Sequence, residues 1–219
     1  MVEGFLMHYR KTFLWFAVVL SGALITTGIW LTREWARYTN PPSIYGKIGL
    51  GDSREEVRYK LGEPPEVDGD VPNAQGAVRV YSTNRDDPVN AIPADKSVNQ
   101  FNAWQYPGKG DDAHYDVYFD ATTGRANVLV CFDFFLPTTH YCPSLFGIAI
   151  DDSESEVINV IGEPTRKSIS EGVKVLVYDD RGIVVRLSKE RVYSLQLGHP
   201  KNPAPRSALA FLYWLIRHR

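Results

Sequence analysis

Two short polar blocks contain the residue types that serine hydrolases use. The first is Gly51-Asp52-Ser53, and in the second Asp111 is followed three residues later by His114. A serine hydroxyl becomes a nucleophile when a histidine base lies within hydrogen-bond reach and a carboxylate orients that base. Ser53, His114 and Asp111 therefore form a candidate acyl-transfer site.

The residues around Ser53 also give it a structural role. In the pattern Ser53-x-x-Glu56, the hydroxyl accepts the N–H three residues ahead and the carboxylate accepts the serine N–H, which is a helix capping box. The same pattern recurs at Ser153-x-x-Glu156, where no histidine corresponds to His114. Since one explanation covers both serines, we predict that they cap helices and that the protein is not an enzyme.

The chain has two cysteines, Cys131 and Cys142, and two alternatives stay open for them. Either they form a small loop-closing disulfide, which is typical of an oxidising compartment such as the periplasm, or they are buried free thiols. Together with His140 they also supply zinc-ligand types, but structural zinc sites use four ligands and closer cysteine pairs. We therefore predict no metal site and no cofactor.

The two capping boxes belong to an internal repeat. Residues 48–64 (IGLGDSREEVRYKLGEP) and 148–164 (IAIDDSESEVINVIGEP) align at an offset of 100 residues without a gap and are identical at 8 of 17 positions. Each copy places an acid at the positive end of the helix dipole, an apolar stripe along the helix, and a glycine where the helix ends. The predicted cap residues are Asp52, Ser53, Glu56 and Gly62 in the first copy and Asp152, Ser153, Glu156 and Gly162 in the second.

Short strands follow each predicted helix. They cover 102–106, 115–120 and 126–132 in a first unit (44–134), and 173–178, 183–187 and 191–197 in a second unit (145–198). Alternation of apolar and polar residues predicts strands with one covered face. We therefore predict an α+β fold in which two tandem units, each a helix and a three-stranded antiparallel meander, form a two-layer domain. Residues 65–101 form an insert in the first unit, with a strand at 77–82.

An apolar run precedes the repeat. No charged residue lies between Phe13 and Leu31, and a helix of this length reaches roughly the 30 Å thickness of a hydrocarbon core. Trp15 and Trp30 lie near its ends and Trp35 follows it. A cleaved signal peptide has a shorter apolar region and a small-residue cleavage site. We therefore predict a tail at 1–12, a transmembrane helix at 13–32 that acts as an uncleaved signal anchor, and a linker at 33–43.

The C-terminal residues 206–219 contain a second apolar segment, Ser207–Ile216, flanked by arginines. It is too short to span a bilayer. We predict an amphipathic helix whose Phe211, Tyr213 and Trp214 contact the membrane interface, a protein partner or the domain itself, and these three alternatives stay open.

Charge and topology set the expected location and partners. The net charge is −2 with both signs interspersed, which excludes the basic stripe of a nucleic-acid-binding protein. The cysteines favour a periplasmic domain, so we predict a single-pass protein of the bacterial inner membrane with a cytoplasmic N-terminus. Its expected partners are the lipid bilayer and subunits of an integral-membrane complex, with no small-molecule substrate.

Several motifs in order resemble the BamE/SmpA/OmlA family of small bacterial envelope domains. They are Gly51-Asp52-Ser53 through Val57, Leu61-Gly62-Glu63-Pro64, Trp104-Gln105-Tyr106, and Phe119-Asp120 with Gly124. The second unit is similar through its helix and Tyr178-Asp179 but lacks the tryptophan, and the chain lacks a lipid-acceptor cysteine after its apolar run. A tandem of such units also resembles β-lactamase inhibitor protein. The resemblance implies binding to envelope proteins and not catalysis.

A weaker resemblance concerns the hydrolase alternative. Gly51-Asp52-Ser53 and Asp111-x-x-His114 are similar to two blocks of GDSL-type hydrolases, whose Gly-x-Asn-Asp block is absent here. The leading hypothesis is a non-catalytic, membrane-anchored accessory or scaffold subunit that stabilises a respiratory, photosynthetic or assembly complex on its periplasmic side. The alternative is an envelope inhibitor or chaperone that binds a soluble periplasmic protein through a concave sheet face.

Overall fold

The computed structural model describes residues 19, 21–23, 25–32, 42–72, 78–108, 113–133, 141–170 and 172–199. Its described residues between 19 and 32 and its described residues between 42 and 199 belong to two separate compact units, called here the N-terminal unit and the sheet unit. Several predicted features lie outside the described residues: the tail at 1–12, Trp15, Trp35, most of the linker, and the C-terminal segment with Phe211, Tyr213 and Trp214.

In the N-terminal unit, residues 19, 21–23 and 25–32 are helical, and Trp30 lies in this helix. The Thr26 hydroxyl lies 3.0 Å from the Ala23 carbonyl oxygen, and the Thr27 hydroxyl donates to the same carbonyl at 2.8 Å. In the part of the chain that the structure describes, no helix is both long and apolar enough to cross a membrane.

The predicted transmembrane helix at 13–32 is therefore wrong, as are the signal anchor, the inner-membrane location and the topology built on it. The prediction rested on the absence of charge over this run, on its length and on the tryptophans near its ends. Polar and small residues such as Ser21, Gly22 and Thr27 also lie within it, and they contribute little of the transfer free energy that drives a helix into a bilayer.

The described residues of the sheet unit form two eight-residue helices and eleven strands. From the N-terminus its elements are β1 Ile44–Tyr45, β2 Ile48–Gly49, α1 Arg54–Leu61, β3 Glu66–Pro72, β4 Val78–Ser82, a 3₁₀ turn Val98–Gln100, β5 Ala103–Pro107, β6 Ala113–Phe119, β7 Ala126–Asp133, α2 Glu154–Ile161, β8 Arg166–Ser170, β9 Val173–Tyr178, β10 Ile183–Ser188 and β11 Arg191–Gly198. Strands β3 to β11 form one antiparallel sheet in the order β4-β3-β5-β6-β7-β11-β10-β9-β8, and β1 pairs with β2.

The predicted fold class is wrong, because one nine-stranded antiparallel sheet dominates the structure in place of three-stranded meanders behind a membrane anchor. An additional strand follows each helix, β3 after α1 and β8 after α2, and β4 pairs with β3 as the edge strand of the sheet. Strand β3 falls within the predicted insert, where Val67 lies opposite Trp104. Strand β8 is exposed along its whole length, so its sequence lacks the apolar alternation that indicates a strand.

The two repeats are related within this sheet by an approximate two-fold axis. Arg125 donates to the Gly51 carbonyl at 2.8 Å, and Arg191 donates to the Asp151 carbonyl at 2.9 Å. Tyr106 and Tyr178 likewise donate to the carbonyls of the two helix-ending glycines. Equivalent strands β7 and β11 pair at the centre of the sheet, where Leu129 lies opposite Leu197 and Cys131 opposite Leu195. The Val130–Gln196 pair between them marks the axis.

Alternating side chains give the sheet two different faces. We call the side packed by the helices the covered face: Val57, Val157 and Ile161 of the helices join Trp104 and Leu195 of the sheet in one buried cluster. The opposite side is the open face. It carries the alternate residues of the central strands, namely Gln105, His114, Asp116, Tyr118, Val128, Val130, Phe132, Ser194, Gln196, Val184 and Arg186.

Candidate binding site

The helix-cap residues named from the sequence form local structural contacts. The Ser53 hydroxyl accepts the Glu56 N–H at 3.2 Å, and the Glu56 carboxylate accepts the Ser53 N–H at 2.7 Å. Ser153 and Glu156 make the same pair of bonds. Each preceding acid accepts a backbone N–H at 2.7 Å, Asp52 from Gly49 and Asp152 from Ala149. Gly62 and Gly162 end the helices with φ of 91° and 84°, a region that favours glycine.

The structure does not bring together the residues of the candidate acyl-transfer site. Ser53 caps a helix on the covered face, whereas His114 lies on the open face with its Nδ1 3.2 Å from an Asp116 oxygen. Asp111 lies outside the described residues. The described residues thus place His114 away from Ser53, whose hydroxyl is already engaged at the helix N-terminus.

The cysteines are joined to each other. Cys131 and Cys142 form a disulfide with an S–S distance of 2.07 Å, so neither supplies a thiolate to a metal ion. His140 lies outside the described residues. Within the described ranges, no group of three or more His, Cys, Asp or Glu residues is placed to hold a metal ion.

The open face contains a cavity of about 560 Å³, a volume in the range of small-ligand sites. It runs diagonally across the central strands, from Arg186 on β10, past the Val130–Gln196 pair at the two-fold axis, to Asp68 on β3. Its lining combines apolar and polar side chains: Asp68, Asn102, Ala103, Tyr118, Phe119, Asn127, Val128, Val130, Phe132, Arg186 and Gln196.

Three buried polar atoms on or beside this cavity have no hydrogen-bond partner among the described residues: Arg186 Nη1, Ser194 Oγ and Asn127 Oδ1. Arg186 and Ser194 lie opposite each other on paired strands. The other terminal nitrogen of Arg186 donates to the Gln196 side-chain oxygen at 3.0 Å. A buried polar group left unpaired costs about 1–3 kcal/mol, so these atoms call for a functional explanation.

Asp68 lines the other end of the cavity, and Asp116 and His114 lie on the same face close enough to influence its pKa. The Gln105 amide donates to Asp68 at 2.7 Å, and Asp116 is almost fully buried beside His114. Burial raises the pKa of Asp68 to about 6, and the negative charge of Asp116 adds to this effect. The hydrogen bond to Asp116 raises the pKa of His114 above its ordinary value. The cavity thus has a cationic end and an acidic end.

These pKa shifts predict a dependence of stability on pH. A carboxyl whose pKa is raised on folding contributes most below its unfolded pKa of about 3.9, and this contribution is lost as the pH rises through 6. For Asp68 we therefore expect the variant Asp68→Asn to be more stable than the wild type at pH 8. The difference should shrink towards pH 4. Urea denaturation of both proteins from pH 4 to 8 measures this difference.

The control for this experiment is Asp86→Asn, which changes an exposed aspartate of the insert. Its stability difference from the wild type should be small and should not grow with pH. His114 contributes in the same direction in both proteins, because its raised pKa favours the folded state at low pH. An Asp68→Asn variant that loses stability relative to the wild type between pH 6 and 8 would contradict the prediction.

The sequence did not reveal this cavity. The one available signal is that Asp116 and Arg186 lie in the middle of strongly β-forming runs, where a charged side chain is unusual. Comparisons with known protein families, with curated proteins and with solved structures found no match to this chain.

Proposed function

We propose that residues 42–199 form a non-catalytic protein-binding domain that holds a protein partner against its open face. The observation that carries this proposal is the set of unpaired buried atoms around the cavity: Arg186 Nη1, Ser194 Oγ and Asn127 Oδ1. Native proteins pair nearly all buried polar groups, so a partner that supplies the missing hydrogen bonds explains why these groups are retained.

The surroundings of the cavity also suit an interface. On β9 and β10, Val173, Val175, Val177 and Val184 are partly exposed on the open face. They extend the lining of the cavity with apolar surface, and an apolar centre with a few oriented polar groups is typical of protein interfaces. The resemblance of the repeat to the BamE/SmpA/OmlA domains supports the same conclusion, because it implies binding to other proteins.

Catalysis is less well supported by the same residues. Ser53 is engaged in its helix cap, and Cys131 and Cys142 are joined in a disulfide. The groups that would act as nucleophiles or metal ligands thus have structural roles.

Site-specific photo-crosslinking in the native cell tests the proposal. The full chain is produced with benzoylphenylalanine at Val184 or at Val175, both on the open face. We expect irradiation to give an adduct of one discrete additional mass from each position, because a docked partner lies within reach of both side chains.

The matched control is the same substitution at Tyr59, which is 92% exposed on α1 and therefore tolerates a change of side chain. We expect no adduct from Tyr59. An absence of adducts from both open-face positions in a folded protein, or identical adducts from Tyr59, would overturn the proposal.

A further inference from the structure

We propose that the open-face cavity binds a small amphipathic monocarboxylate, with the carboxylate on Arg186 and the apolar body along Val128 and Val130. This site shares Arg186 with the open-face surface proposed above for a protein partner, so ligand and partner compete there, and each proposal has its own experiment. The inference rests on the charge, the hydrogen-bonding capacity and the shape of the cavity.

Arg186 supplies the anion-binding end. A guanidinium has five N–H donors, and the one hydrogen bond found for Arg186 goes to the neutral side chain of Gln196. Among the described residues, no Asp or Glu oxygen lies within ion-pair distance of Arg186. A planar guanidinium with N–H donors to spare can bind a carboxylate through two parallel hydrogen bonds.

The middle of the cavity is apolar. Val128, Val130 and Phe132 are successive open-face residues of β7, and at about 3.3 Å per strand residue they extend over about 13 Å. Because Arg186 and Phe132 are at one end of this row, a carboxylate on Arg186 directs the rest of the ligand over Val130 towards Val128. An unbranched or aromatic body fits this path.

The far end of the cavity selects against a second anionic group. Asp68 lies there, and the buried Asn127 Oδ1 is an acceptor without a partner. Asp116 lies close enough to raise the pKa of Asp68. A dicarboxylate would place its second charge against this wall, so the site favours a monocarboxylate.

Titration of the full chain with octanoate at pH 7.5, followed by NMR, tests the proposal. We expect saturable binding with shifts of the Val128 and Val130 methyl signals. Octanamide, the neutral isostere, and suberate, the dicarboxylate of the same length, should each bind at least tenfold more weakly. In Arg186→Gln, octanoate affinity should fall at least tenfold and become equal to that of octanamide.

The matched control is Arg85→Gln, which removes an exposed arginine of the insert and should leave octanoate affinity unchanged. If Arg186→Gln fails to fold, the comparison of the three ligands on the wild-type protein decides the question. Equal binding of octanoate and octanamide, no saturable octanoate binding at millimolar concentration, or shifts only outside the cavity would overturn the proposal. The crosslinking experiment has its own readout, so the two proposals can fail separately.

Discussion

Replacing Trp104 by alanine is expected to lower the free energy of unfolding by about 3–5 kcal/mol. The indole is completely buried at the centre of the first unit. Its Nε1 donates to the Val98 carbonyl at 3.2 Å, its ring meets Phe119 edge-on at 4.8 Å, and the Arg58 guanidinium lies 4.8 Å above it. Truncation removes all three contacts and leaves a cavity that short strands cannot close. Urea denaturation measures the loss.

Two comparisons make this expectation specific. Tyr59→Ala removes an aromatic side chain that is 92% exposed and should change stability by less than about 0.5 kcal/mol. Leu176 occupies the position in the second unit that corresponds to Trp104, and Leu176→Ala should cost about 2–5 kcal/mol. A loss below about 1 kcal/mol for Trp104→Ala would contradict the central place that the structure gives this residue.

Loss of the disulfide is expected to cost about 3 kcal/mol, the loop-closure value for a loop of roughly this size. Cys131 and Cys142 are separated by 11 residues, and Cys131 lies in the core on a central strand. The double variant Cys131→Ala/Cys142→Ala avoids placing new polar groups in this core. Thermal and urea denaturation of this variant and of the wild type measure the difference.

A reducing agent provides the control for this experiment, because it breaks the disulfide without changing any side chain. Dithiothreitol should lower the stability of the wild-type protein towards that of the double variant and should leave the double variant unchanged. Equal stability of the wild type with and without the reductant, with the thiols shown to be free, would refute the expectation.

Helix caps, which form between residues close together in the chain, could be predicted from the sequence. The capping box joins Ser53 to Glu56 across three positions, and the structure contains this pair and its equivalent in the second unit. Gly62 and Gly162 similarly end their helices through their own backbone angles. Such contacts require no knowledge of the rest of the fold, since both partners move with the same turn of the chain.

The extent of the sheet was not predictable in the same way. Strand β8 has the sequence Arg166-Lys167-Ser168-Ile169-Ser170 and is held by its pairing with β9. Every one of its residues is exposed, so the strand has no buried face and its sequence shows no alternation of apolar and polar residues. Strand β3 pairs with β5 across the long insert. Strand β3 is thus held by a distant strand and β8 by the next strand along the chain, and in both places strand pairing overrides weak local preference.

The cavity could not be predicted from the sequence either, because the residues at its two ends come from opposite halves of the chain. Asp68 and Arg186 line one space only because the intervening strands bring the two halves onto one continuous surface. The transmembrane prediction for the apolar run before the repeat was wrong for a different reason. That prediction rested on the length of the run, its lack of charge and the tryptophans near its ends, and gave no weight to Ser21, Thr26 and Thr27 within it.

The pairing of β7 with β11 joins the two repeats through one edge strand of each. One repeat alone would leave an eight-residue strand, Ala126–Asp133, as a bare edge. Two identical copies could pair through that edge as a symmetric homodimer, and fusion of the two genes would then make the contact permanent. In such an ancestor the two residues on the axis would be the same. In this chain they are Val130 and Gln196, so a covalent tandem can present two different side chains where a symmetric dimer presents the same one twice.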